Sequence, residues 1–124
     1  MVAGLDQPVF HKLKSDISQA LMSIGAVAGV VLGDNDEKSF SLSGIDFHQT
    51  KQSQQYGGIR GGISTGEDLI FKVLVKPTSS IMDVAKKGRH DPCIIPRAIP
   101  VLEAMVALVL ADHLLLTRMD QLKI

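Results

Sequence analysis

The run from Pro100 to Leu116, PVLEAMVALVLADHLLL, constrains the fold more than any other stretch of the chain. Pro100 is expected to open a helix, since its missing N–H costs nothing in a first turn, with Glu103 close to the positive end of the helix dipole. Leu102, Met105, Val106, Val109, Leu110, Leu114 and Leu116 then cover much of the circumference. A helix apolar on several sides must meet more than one neighbour. This one is therefore expected to be buried nearly all round, with part of its surface against another layer or another subunit. Asp112 and His113 interrupt the apolar surface where the helix nears its end or a subunit contact, and Arg118 and Lys123 suit its negative terminus.

The loop that feeds this helix, Lys86 to Glu103, sets Arg89, His90 and Asp91 against Pro92. Buried or half-buried polar groups at that density are costly unless they are used. Arg89 offers a planar fork for a carboxylate or phosphate, and Asp91 can balance that charge or handle a proton. An Arg–Asp salt bridge closing a turn accounts for the same residues. Upstream, the strand-like Leu69–Val75 ends in Lys76, Pro77, Thr78, Ser79 and Ser80. That sequence can cradle an anion with one charge and several hydroxyl donors, or it can be ordinary turn chemistry.

Tyr56 to Gly66, YGGIRGGISTG, contains five glycines. These either bring main-chain N–H groups close to a ligand or build a pair of tight hairpin turns, the reading favoured from the glycines alone. No Gly-Lys-Ser/Thr closes the segment and no helix follows it, which excludes a P-loop, and the spacing does not fit a dinucleotide fingerprint.

Near the start, Asp6, Gln7 and Pro8 predict a helix N-terminus, followed by a stripe of Phe10, Leu13, Ile17, Leu21 and Ile24 that ends at Gly25 and should lie on a sheet. His11 falls on the polar face, where solvation outweighs a catalytic role. Ala26–Leu32 reads as a strand in which Gly29 marks a close approach or a bend. Residues 33–55 are polar and are expected to form a flexible or variable loop with a short edge strand, His48 lying at its surface.

At 124 residues the chain suits a single domain, residues 1–124, with one core. Aromatics make up 4% with no Trp, so that core must be aliphatic. Thirteen basic against thirteen acidic residues argue against a nucleic-acid or membrane-surface binder. Cys93, beside Ile94 and Ile95, is expected as a small buried hydrophobe, and a single cysteine allows no intramolecular disulfide. With no charged-then-apolar leader and no apolar run approaching a membrane span, the expected compartment is the cytoplasm.

GRHDPCIIPRAIPVLEAM, GGISTGED, KPTSS and the opening GLDQPVFHKLKSDISQALMSIGAVAGV occur in an order that resembles the C-terminal third of chorismate synthases. The resemblance implies an α+β fold, the C-terminal part of a β-α-β sandwich with antiparallel sheet and packed helices, assembled as a homotetramer. It implies a lyase of the shikimate pathway of aromatic amino acid biosynthesis, converting 5-enolpyruvylshikimate 3-phosphate to chorismate by anti-elimination of phosphate. Reduced FMN is the implied cofactor, with NADPH associated with the family and no metal. Carried onto this sequence, Gly61, Lys76, Pro77, Thr78, Ser79, Ser80 and Arg89 contact FMN, Arg89 also meets the anionic substrate, and Asp91 handles a proton near the flavin N5. His90 is left a positioning role. Arg60 departs from the family's usual apolar residue, and the link from Ser80 to Gly88 is short. The family's two acid–base histidines, its substrate-gripping arginines and its Arg-Ser-Ser flavin segment have no counterpart in these residues, and neither His11 nor His48 matches them. The resemblance therefore implies a catalytically incomplete part of the enzyme; the alternative is a non-catalytic flavin- or anion-binding module, or an assembly remnant, of the same fold.

Overall fold

The computed structural model describes residues 2–49, 52–78 and 92–120. In chain order these form helix α1 (Leu13–Met22), strand β1 (Val27–Leu32), a 3-10 turn (Ser39–Ser41), helices α2 (Gly44–Gln49) and α3 (Gln52–Tyr56), strands β2 (Ile59–Arg60), β3 (Ile63–Ser64) and β4 (Phe71–Val75), and the long helix α4 (Ile95–Asp120). β1 pairs antiparallel with β4, and β2 with β3. The α+β class expected from the sequence holds.

Leu13, Ile17 and Leu21 recur on one face of α1 and are fully buried, joined by Leu5 and Ile59. Val30, Leu32, Phe71 and Val73 close this core from the sheet, and Leu102, Val106, Val109, Leu110 and Leu114 close it from α4. Each buried Leu or Ile contributes about 1.5–3 kcal/mol, so the stripe outweighs the modest propensity of a ten-residue helix. The helix starts later than Asp6–Pro8 suggested. His11 has φ 58°, a left-handed conformation that a right-handed helix cannot pass through. Phe10, on the wrong side of that break, is 80% exposed and leaves the predicted stripe. Asp6 still serves as a cap, but across a loop: its Oδ1 accepts the Leu13 N–H at 3.0 Å.

In the β1–β4 pair Leu32 faces Phe71, Val30 faces Val73 and Val27 faces Val75, with an irregularity between Val27 and Gly29. Gly29 is the close approach that the sequence indicated, although the neighbour is a side chain: a Cβ there would lie 3.1 Å from Leu74 Cδ1. Within residues 33–55 the expected edge strand is replaced by the 3-10 turn, α2 and α3. Asn35 ties the two ends of this segment together, its side-chain amide donating to the carbonyls of Leu32 at 2.7 Å and Gln55 at 2.8 Å. Lys72 on β4 adds a hydrogen bond to the Asn35 carbonyl and an ion pair to Asp34. These bonds hold the ends of the segment to β1 and β4. His48 is exposed, stacks on Tyr56 and hydrogen-bonds its hydroxyl.

The last helix departs from expectation in three respects. It begins at Ile95, where the Ile94 carbonyl accepts the N–H groups of Arg97 and Ala98, so Pro96 takes the first-turn position and Pro100 lies inside the helix. It is not buried nearly all round: His113 is its buried residue, while Val101, Leu108 and Leu115 are exposed. The reason is geometric, since α1 and a two-stranded sheet cover one side of a 26-residue rod and leave the other open. By length and composition the helix could also cross a membrane, contrary to the expectation from uninterrupted apolar runs. It reaches that length by continuing through Arg97, Glu103, Asp112 and His113. Cys93, just before it, is exposed and not a core residue.

Candidate functional site

The glycine-rich segment folds as the hairpin β2–β3, in which Ile59 pairs with Ser64 and Arg60 with Ile63. Gly61 and Gly62 form the two-residue turn at φ 58° and 87°, the pair of positive values that a tight right-twisted hairpin requires. Ser64 fastens the hairpin to the N-terminal segment: its hydroxyl accepts the Leu5 N–H at 2.8 Å and donates to the Val2 carbonyl at 2.8 Å. Arg60, the residue that departs from the family pattern, lies over the Tyr56 ring at 4.8 Å. Gly61 is exposed, with open space where a side chain would begin.

Gly62 lies against Asp6 and Lys12, both 3.4 Å from where its Cβ would be. Burial pushes the Asp6 carboxyl up, but the Lys12 ammonium at 2.9 Å, with the N–H groups of Leu13 and Gln7, overcomes that and holds it below the usual carboxylate range. The turn of the hairpin thus rests on a formed ion pair at the start of α1.

Lys76 extends the β1–β4 ladder by one bond, its N–H donating to the Ala26 carbonyl at 2.8 Å. Lys76, Pro77 and Thr78 are exposed. Ser79, Ser80, Arg89, His90 and Asp91 lie outside the described residues. The described chain resumes at Pro92 and enters α4 through Cys93 and Ile94. An apolar cavity of about 570 Å³ lies between the sheet and α4, with Phe71, Val73 and Val75 on one wall and Ile95, Leu102 and Val106 on the other. Val75 directly precedes Lys76, and Ile95 directly follows Pro92–Ile94. The two polar segments singled out in the sequence therefore leave and re-enter at the lining of one cavity.

Gly61 is placed elsewhere. Its hairpin adjoins Lys12 at the N-terminal end of α1, whereas Lys76 bonds to Ala26 beyond the C-terminal end. Ten residues of helix, about 15 Å of rise, lie between those ends.

A second polar cluster was only half visible in the sequence. His113 Nε2 meets Asp16 Oδ2 at 2.9 Å, and His11 Nδ1 approaches the same oxygen at 3.6 Å. The His113 side chain is 1% exposed, so this is a buried polar tie between α4 and α1 rather than a feature of a helix end. His113 was recognisable as an interruption of an apolar face; its partner, 97 positions away, was not. Among the described residues, no three His, Cys, Asp or Glu side chains converge as a metal site.

Residues 1–115 match the family model described as chorismate synthase. The chorismate synthase of Bdellovibrio bacteriovorus is 61% identical over 120 residues, which cover 97% of this chain and 35% of the relative. That of Rhodospirillum rubrum is 46% identical, covering 90% of this chain and 37% of the relative. A crystal structure of chorismate synthase superposes with a TM-score of 0.72 at 30% identity, over 93% of this chain and 34% of that one. The chain spans little more than a third of the length of these relatives.

Proposed function

This chain belongs to the chorismate synthase family, and we propose that it supplies the C-terminal side of that family's active site without holding a complete one. The reaction is the anti-elimination of phosphate from 5-enolpyruvylshikimate 3-phosphate to give chorismate. The observation that carries this reading is the shared cavity lining, where Val75 leads into Lys76–Thr78 and Ile95 follows the sequence segment containing Arg89 and Asp91. Exposed Lys76 and Thr78, which follow the cavity-lining Val75 in sequence, suit a ligand that is anionic at one end and flat and apolar at the other, as reduced FMN is. When bound, reduced FMN lends electron density transiently as phosphate leaves.

The chain's own residues have distinct parts. Lys76 sets a charge, Thr78, Ser79 and Ser80 supply directional donors, and Pro77 restricts the backbone that presents them. Arg89 grips an anionic group through two parallel N–H donors. Asp91 holds the proton position. Gly61 is assigned to the flavin by resemblance, and its place beyond the far end of α1 makes it the residue whose substitution discriminates most. The working unit is a single domain acting in a cytoplasmic, tetrameric enzyme.

Two measurements test this. Titration of the chain with FMN should change flavin fluorescence, and Lys76→Ala should weaken binding about tenfold, as loss of one charged hydrogen bond would. No fluorescence change on mixing rejects the cofactor assignment. Anaerobic incubation of the chain with reduced FMN and 5-enolpyruvylshikimate 3-phosphate should yield no chorismate. Product from the chain alone rejects the incomplete-site reading.

A further inference from the structure

The chain contains four Phe and one Tyr, and three of these five aromatic residues line one cavity. That cavity, of about 400 Å³, lies between Val30 and Leu32 of β1 and the segment that carries Phe40, Phe47 and Tyr56, with Asn35 also in its lining. It is separate from the cavity beside α4, with which it shares none of the described lining residues. The two also sit at opposite ends of β1. Lys76, assigned to the flavin, bonds to Ala26 just before the strand, whereas Asn35 bonds to Leu32 at its far end, about 17 Å along six residues of strand.

The polar chemistry of this cavity is one-sided. Asn35 is 6% exposed, and both hydrogens of its side-chain amide are used, on the carbonyls of Leu32 and Gln55. Its Oδ1, across the same planar group, is buried and accepts no hydrogen bond from any described residue. The two donated bonds fix the amide, so it cannot turn over to offer a donor in place of that oxygen. A buried acceptor without a partner is costly, which sets this atom apart from the satisfied groups around it. None of the described lining residues is charged.

The aromatic wall is already held in place. Phe47 meets the Tyr56 ring edge-on with centroids 6.0 Å apart, His48 stacks on it, and the Arg60 guanidinium lies 4.8 Å from its centroid. A wall fixed before a ligand arrives loses little freedom on binding. Phe40, by contrast, is 67% exposed, a large ring left open beside the cavity. Arg60 departs from the family's usual apolar residue, and Asn35, Phe40 and Phe47 belong to the segment read from the sequence as variable, so these walls are distinct from the flavin-site motifs.

We propose that this cavity is a second binding site, for a neutral, planar aromatic molecule of about indole size that carries a ring N–H or hydroxyl. The donor meets Asn35 Oδ1, and the ring lies against Phe40 and the Tyr56 wall. A charged ligand is disfavoured because the described lining offers it no counter-charge. The site stands on its own residues and does not rest on the proposed reaction.

The test is titration of the whole nitrogen-labelled chain with indole, followed by two-dimensional amide NMR. Saturable shifts with a Kd tighter than about 1 mM are expected at the Asn35 side-chain amide and at the backbone of Leu32, Phe40 and Tyr56. Benzofuran, which has the same two-ring shape with an oxygen in place of the N–H, should bind about fivefold or more weakly, a comparison that needs no variant. Phe40→Ala should weaken indole binding about tenfold without changing the circular dichroism, since Phe40 is largely exposed, whereas Phe10→Ala, at an exposed aromatic site elsewhere, should leave binding unchanged.

Absence of saturable shifts overturns the proposal. So do shifts confined to Val73 and Val106 of the other cavity, equal affinity for indole and benzofuran, or parent-like binding by Phe40→Ala. Flavin binding without indole binding rejects this site alone; indole binding without flavin binding leaves it standing and rejects the cofactor assignment.

Discussion

The two faces of α4 are built from the same kinds of residue and do different things. Inward, Leu102, Val106, Val109, Leu110 and Leu114 meet α1 and the sheet, and His113 is bound to Asp16. Outward, Val101, Leu108 and Leu115 meet nothing among the described residues that buries them. Hydrophobicity alone does not separate these faces. What separates them is the position of α1, whose own fully buried stripe selects which side of α4 is covered.

The comparison can be broken most severely from the inside. Ile17→Ala on α1 should cost about 2–5 kcal/mol in urea unfolding, because the residue is fully buried and its neighbours include both helix and sheet. A smaller loss would mean that the inner face is loosely packed. His113→Leu comes next: it keeps most of the side-chain volume but takes from Asp16 its 2.9 Å partner, at an expected cost of about 1–3 kcal/mol. Combined with Asp16→Asn in a double-mutant cycle, the two changes should be clearly non-additive; additivity would make the contact incidental.

A pH titration sharpens the comparison at the start of α1. The folded Asp6 carboxyl is held below its ordinary value, so its contribution to stability is fully present above the unfolded carboxylate pKa and is lost as pH falls through the lowered folded value. Parent and Asp6→Asn should therefore differ most near neutrality and converge as the pH drops below about 4. A difference that grows on acidification would contradict the assignment. The smallest effect belongs to the outer face, where Leu108→Ala in the isolated chain should shift stability by no more than about 0.5 kcal/mol. A loss as large as that of Ile17→Ala would mean that the face is covered in the chain by itself.

Periodicity made α1's buried stripe and both long strands legible in the sequence, because a residue's side of a helix or sheet follows from local spacing. It overextended α1 through Phe10, since nothing local marks His11 for a left-handed conformation. It misjudged α4 for a related reason: spacing shows which faces are apolar, whereas coverage depends on what lies across from each. The glycine-rich hairpin was readable because Gly61 and Gly62 are strongly suited to the turn that they form. The cavity lining that links Lys76 with the entry to α4 was not readable, as it depends on two segments about twenty residues apart meeting at Val75 and Ile95. The chemical roles of Arg89 and Asp91 came from resemblance and from no spacing rule.

Pro100 gives α4 a mechanical property. Having no N–H, it leaves the Pro96 carbonyl without its usual donor one turn ahead, so the first turn of α4 is held to the rest of the rod by fewer rungs than any later turn. That turn follows directly on Pro92–Ile94 and contributes Ile95 to the cavity. It can tilt as a short lever while the stretch bearing Val109, Leu110 and His113 stays fixed against α1. Amide hydrogen exchange should report this as a step in protection along one continuous helix, fast at Arg97–Ile99 and slow from Met105 to Leu114; uniform protection would show a rod without a joint.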